Sequence, residues 1–150
     1  MREIDIKEER IRKLLEENKS DGLLITLKYN FAWATGGKYN HVGLLTEVGA
    51  TSLLITNSSS YIIASSIEAP RIEKEEVGAL GHYKLEVFPW YEPDEKLRIV
   101  EKITGGNFIT DTPFGNARVV NLLPLRYPLT EDEVIRIKAL GKSASLCMED

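Results

Sequence analysis

Apolar residues along the chain fall into stripes at helical spacing and short unbroken runs, and the two alternate from one end to the other. Residues 3 to 19 predict a helix: Ile4, Ile11, Leu14 and Leu15 share one face, while Glu8, Glu9, Arg10, Arg12, Lys13, Glu16 and Glu17 fill the other. Asn18, Ser20, Asp21 and Gly22 gather where that periodicity stops, and Gly22 suits the left-handed residue that closes a helix. GLLITL, residues 22 to 27, is too short and too uniformly apolar for a surface helix and predicts a strand covered on both faces. TSLLIT (51 to 56) and YIIASS (61 to 66), joined by four polar residues, predict an antiparallel hairpin.

A second helix is expected from Glu68 to Val77, with Pro70 tolerated in the first turn, where its missing N–H has no intrahelical partner. YKLEVF (83 to 88) alternates as a strand. Pro93, Asp94 and Glu95 open a third helix with Leu97, Val100 and Ile103 as its stripe and Gly105 and Gly106 as its stop. NFITD (107 to 111) and ARVVNLL (117 to 123) predict two further strands, and PLRYPL (124 to 129) an extended linker. Thr130 to Glu133 is a capping box opening a last helix, whose narrow stripe is Val134, Ile137, Gly141, Ala144 and Met148. That helix meets no stop residue before Glu149 and Asp150, so it is expected either to lead into further chain, to dock a partner, or simply to fray. The alternation predicts an α/β fold: a three-layer α/β/α domain around a mixed five- or six-stranded sheet. Residues 1–129 form the domain, and 130–150 begin a linker helix.

Composition narrows the function. With 150 residues, 43% hydrophobic and 28% charged, one domain can bury about 70% of its unfolded surface without metal or disulfide. Nineteen basic against 23 acidic residues give a net charge of −4 with no long block of either sign, which argues against a nucleic-acid partner. No apolar run reaches the roughly 18 residues of a membrane span. The single cysteine, Cys147, and the absence of a signal peptide point to a reducing cytoplasm.

Few residues carry a signature of chemistry. His41 and His82 lie far apart, each without a second ligand at metal spacing. Glu68, Glu73, Glu75 and Glu76 are interleaved with Arg71 and Lys74, the pattern of a solvated helical face. Neither Gly36-Gly37 nor Gly105-Gly106 has the spacing or lysine of a phosphate loop. Asp111 ends a strand where open α/β sheets bind ligands, although Asp, Pro and Gly also make plain turns. Residues 28 to 41 (KYNFAWATGGKYNH) concentrate aromatic, amide and imidazole groups, and either line a pocket or interface or form an aromatic subcore beneath a loop.

The opening helix, GLLITL, Asn30-Phe31-Ala32-Trp33-Ala34-Thr35-Gly36, the hairpin and Glu68-Ala69-Pro70-Arg71 together resemble, in order, the amino-terminal domain of creatinase, prolidase and aminopeptidase P type proteins. The resemblance implies a creatinase/prolidase N-terminal fold with a ribonuclease H-like motif. It implies that the chemistry of the parent, a metal-dependent Xaa-Pro aminopeptidase or dipeptidase, resides in a separate carboxy-terminal domain. There two aspartates, a histidine and two glutamates hold two divalent ions (Mn, Co or Zn). No catalytic residue, metal ligand or cofactor is carried onto this chain, which alone is expected to be inactive. The implied partners are the chain's own catalytic domain, a second copy in a homodimer, and a proline-containing peptide substrate of the parent. A substrate-cleft wall or interface is transferred to Asn30, Trp33, Thr35 and Gly36, with Tyr39 and His41 as neighbours; Trp33 and Ala34 replace the family's usual tyrosine and larger apolar residue. The other readings are a free-standing binding or oligomerisation module and a small α/β enzyme built on Asp111 and the aromatic stretch.

Overall fold

A computed structural model describes residues 2–149, so the expected domain start at Met1 and helix end at Asp150 lie outside the described residues. Helix α1 (Glu3–Asn18) precedes strand β1 (Gly22–Leu27), helix α2 (Lys28–Ala34) and the hairpin β2 (Val48–Thr56) and β3 (Ser60–Ser65). A short helix α3 (Ala69–Arg71) widens into a π-helical turn (Ile72–Val77) and tightens to a 3-10 turn (Gly78–Leu80) before β4 (Lys84–Phe88). Helix α4 (Glu95–Thr104), β5 (Phe108–Thr110), the two-residue β6 (Arg118–Val119), α5 (Leu123–Arg126) and α6 (Glu131–Glu149) complete the chain.

The strands form one mixed sheet in the order β4-β3-β2-β1-β5-β6. β2 alone runs against the others, because a three-residue loop joins it to β3, whereas β3–β4, β1–β5 and β5–β6 pair parallel. The stretch β3-β2-β1-β5-β6 is the expected ribonuclease H-like arrangement, with β4 added at one edge. Period-two alternation divides the sheet's side chains between two cores. Leu23, Ile25, Leu53, Ile55 and Ile62 pack against α1, α2 and the α3 region; Leu24, Leu54, Ile63 and Phe108 pack against Val100 and Leu97 of α4. This is the three-layer α/β domain that the alternation predicts.

Four local expectations are corrected. Lys19, at φ 52°, closes α1 in the left-handed conformation; Gly22 instead starts β1, where a Cβ would meet the Thr104 methyl at 2.7 Å. Glu8, expected on the solvent face, is buried because it borders the apolar stripe and finds three partners: Ser60 Oγ at 2.6 Å, Arg12 Nη2 at 2.7 Å and His82 Nε2 at 2.8 Å. Arg2 approaches the other His82 nitrogen, Nδ1, at 3.2 Å. Since arginine only donates and carboxylate only accepts, Nε2–H is the donor to Glu8. The strand expected at 117 to 123 shrinks to Arg118–Val119, and the expected extended linker starts as α5, with Pro124 in its first turn where no N–H is needed. Residues 28 to 34 form a helix.

The helix expected from Glu68 to Val77 is α-helical only over Ala69–Arg71 and π-helical over Ile72–Val77; two further signals match. Gly105, at φ 64°, ends α4, and the Thr130–Glu133 box is formed reciprocally: Thr130 N–H donates to Glu133 Oε2 at 2.8 Å and Glu133 N–H to Thr130 Oγ1 at 3.3 Å.

Candidate functional site

Asp111 follows β5 at the carboxyl end of the parallel strands and is buried. Its Oδ1 accepts from Thr26 N–H at 2.8 Å and Thr26 Oγ1 at 3.0 Å; its Oδ2 accepts from Leu27 N–H and Asn30 Nδ2, both at 3.0 Å. Four donors therefore compensate the carboxylate, as a buried charge requires. The contact also explains why α2 begins at once after β1: the carboxylate fixes the strand's last amides and the first turn of the helix together. With Nδ2 committed to Asp111, Asn30 presents Oδ1 to Arg126, whose Nη1 donates at 3.4 Å while the guanidinium lies over the Tyr29 ring, 5.0 Å from its centroid. These residues line a cleft of about 560 Å³, walled by Leu27, Val119, Val120, Leu122 and Leu123. On α4, burial lowers the ammonium of Lys96 to about 8 against an opposing pull from Asp111.

Arg126 also borders a second cleft, of about 390 Å³, with Trp33, Lys7, Glu133 and Arg136 on its walls. Here the first turn of α6 is latched to α1. Lys7, only 1% exposed, donates to Glu3, to Glu133 at 2.8 Å and to the Trp33 carbonyl at 2.8 Å, and stands 5.5 Å from the Trp33 ring centroid. Arg136 closes the network with two bonds to Glu3, at 2.7 and 2.9 Å. The Arg136 guanidinium lowers the Glu3 carboxyl, against burial. Burial raises Glu133, but the Lys7 ammonium and Thr130 outweigh it and leave its carboxyl lowered too. The Trp33 indole N–H is buried without an acceptor.

The sequence-derived wall divides accordingly. Asn30 and Trp33 project from α2 into two clefts that meet at Arg126 and Leu123. Thr35 and Gly36 are turned inward: Thr35 Oγ1 donates to the Phe31 carbonyl at 2.7 Å, and Gly36, at φ 70°, lies beneath Ile4 of α1. Tyr39 is exposed and meets His41 edge to face, with centroids 5.3 Å apart, and its N–H donates to Glu76 at 3.0 Å. Beyond them Val42, Leu44 and Leu45 stand in solvent.

Arg126 is missed in the sequence, and Asn40 is seen only as one amide of the aromatic stretch 28 to 41. Arg126 sat within the segment read as a linker, and no local pattern announces its alignment with Asn30. Asn40 anchors the exposed loop. Pairing of β1 with β2 jumps from Ile25↔Leu53 to Leu27↔Val48, and Asn40 takes over the stretch between. Its Oδ1 accepts from Thr51 N–H and Oγ1, its Nδ2 donates to the Thr51 carbonyl, each at 2.7 Å, and its carbonyl accepts from Ala50 N–H at 3.1 Å. Gly49 permits this approach, since a Cβ there would fall 2.1 Å from Asn40 Nδ2.

Among the described residues no three His, Cys, Asp or Glu side chains gather as a metal-ligand set. The buried acids are committed to Lys7, Arg136, His82, Ser60 and backbone amides, so these residues do not fit the metal pair that the resemblance implies for a parent protein.

The sequence profile of the Creatinase/Prolidase N-terminal domain family matches residues 8–108, and the chain belongs to that family. An Xaa-Pro dipeptidase from Bacillus anthracis superposes with a TM-score of 0.62 at 20% identity, covering 87% of this chain and 38% of its own. The prolidase from Pyrococcus horikoshii OT3 gives 0.52 at 19% identity, covering 73% and 27%. The Creatine_N superfamily domain of a dipeptidase from Streptococcus thermophilus gives 0.53 at 15% identity, covering 79% and 93%. At these identities the likeness is one of fold. The chain spans under two-fifths of the length of the first two proteins. No curated protein matches it.

Proposed function

We infer that this chain is the non-catalytic amino-terminal domain of a metal-dependent Xaa-Pro peptidase of aminopeptidase P or prolidase type, working in the cytoplasm, where its lone thiol stays reduced. Its task is to wall the substrate cleft, with Asn30, Trp33, Tyr39 and His41, and to carry oligomer contacts. The observation that carries this reading is partial coverage: the family profile matches residues 8–108, and the fold that covers 87% and 73% of this chain corresponds to only 38% of one Xaa-Pro dipeptidase and 27% of a prolidase. The placement of α6 supports it. That helix is latched at its first turn and then projects for a total of about 28 Å with Ile137, Leu140, Leu146 and Met148 exposed. A helix leaving a domain with apolar side chains exposed in this way suits a connection to a catalytic half, to which residues 130–150 are the entry. A wall of this kind acts by excluding water and bulky chains and by orienting the peptide, not by breaking bonds.

The purified chain is expected to leave an Xaa-Pro dipeptide intact in the presence of manganese or cobalt, and the coding sequence beyond Asp150 to continue into two aspartates, a histidine and two glutamates. Hydrolysis by this polypeptide, or a stop codon after Asp150, overturns the reading.

A further inference from the structure

We propose that the cleft at the carboxyl ends of β1, β5 and β6 is a binding site for a small carboxylate with an apolar body, and that Arg126 receives the carboxylate. Among the described residues Arg126 has no carboxylate partner, in contrast to Arg2, Arg12, Arg71, Arg98 and Arg136; Arg10 and Arg118 lack one too, but donate to the Leu125 and Pro128 carbonyls and to Asn18 Oδ1, away from this cleft's lining. Its side chain is nonetheless positioned. Asp111 holds the Asn30 amide, Asn30 Oδ1 holds Nη1, and Tyr29 supports the guanidinium plane from one face. The remaining N–H groups form a planar fork with the geometry of a carboxylate. Asp111 keeps its charge beside this cleft, but both of its oxygens are bonded to Thr26, Leu27 and Asn30, so the group next to the guanidinium is the Asn30 amide and not a free carboxylate oxygen. Asn121 adds a second donor: its Oδ1 accepts from Leu123 N–H at 3.0 Å, leaving the amide NH2 for a ligand. Leu27, Val119 and Leu122 offer an apolar wall beside these polar groups, and about 560 Å³ admits a ligand the size of a dipeptide.

The anion can come from a free branched-chain acid or from the carboxyl end of a short peptide. The two are separated by titrating the ¹⁵N-labelled chain with 4-methylpentanoate and with alanyl-leucine, each beside its carboxamide. Either acid is expected to shift the amides of Val119, Val120 and Asn121 saturably, with the carboxamide at least tenfold weaker; the tighter of the two acids identifies the source. Arg126→Gln should abolish the preference for acid over amide while the urea midpoint stays unchanged, and Arg126→Lys should retain part of it. Equal binding of acid and amide, a preference surviving Arg126→Gln, shifts confined to another surface, or no shift at about 10 mM of either acid overturns the proposal. None of these outcomes bears on whether the chain hydrolyses peptides, so this site and the peptidase-domain reading stand or fall separately.

Discussion

Asp111 shows how one side chain joins fold to site. It ends a strand, compensates its buried charge with two main-chain amides of β1, and through Asn30 aims Arg126. Removing it leaves those donors unpaired in a dry environment. Asp111→Ala is therefore expected to cost about 3 kcal/mol in urea unfolding, and a loss within a few tenths of zero would show that water replaces the carboxylate. Lys96 makes a second prediction. Burial holds its folded ammonium at about 8, below the usual 10.5, so between those values the unfolded chain binds more protons and stability rises with pH. The urea midpoint should climb from about pH 8 to 10 in the wild type and stay flatter over that window in Lys96→Met.

Among the elements, α6 is the most conditional. Thr130 caps it by bonding Glu133; Glu133 and Arg136 in its first turns meet Lys7 and Glu3 of α1, and beyond them its side chains are exposed. Glu3 and Glu133 both titrate lower folded than unfolded, so their stabilisation is complete above the ordinary carboxylate range and lost as pH falls through the lowered values. Amide protection in the first turn of α6, relative to intrinsic exchange at the same pH, should fall on acidification below about pH 4.5, ahead of the sheet. Glu133→Gln should cost about 2 kcal/mol at neutral pH by leaving Lys7 undercompensated, and should weaken that acid dependence. Unaltered protection at low pH would mean that the latch does not hold the helix.

For the molecule as a whole, exposed apolar groups include Trp90 and Tyr91 ahead of α4, those of α6, and the Asn40-anchored loop with Val42, Leu44 and Leu45. A solvent-facing pair as large as Leu44-Leu45 fits the proposed oligomer contact. Sedimentation of the chain should show concentration-dependent self-association that Leu44→Ser with Leu45→Ser reduces at least tenfold, without moving the urea midpoint. A wild type that stays monomeric at high concentration would remove the loop from the oligomer reading.

The periodicity of Ile4, Ile11 and Leu15, the runs at 22 to 27 and 51 to 56, the glycine stop at Gly105 and the Thr130 box were legible in the chain because each is a local device, complete within one turn or one strand. The composition of α2 was visible, but its helical form was not: seven residues of aromatic and small side chains take that shape under the hold of Asp111, 81 positions from Asn30. Burial of Glu8, the two-residue length of β6 and the meeting of Arg126 with Tyr29 and Asn30 likewise depend on partners distant in sequence. Periodicity specifies which surfaces must be hidden from water; only the assembled sheet and helices decide which buried charges find partners, and which cation is left facing an open cleft.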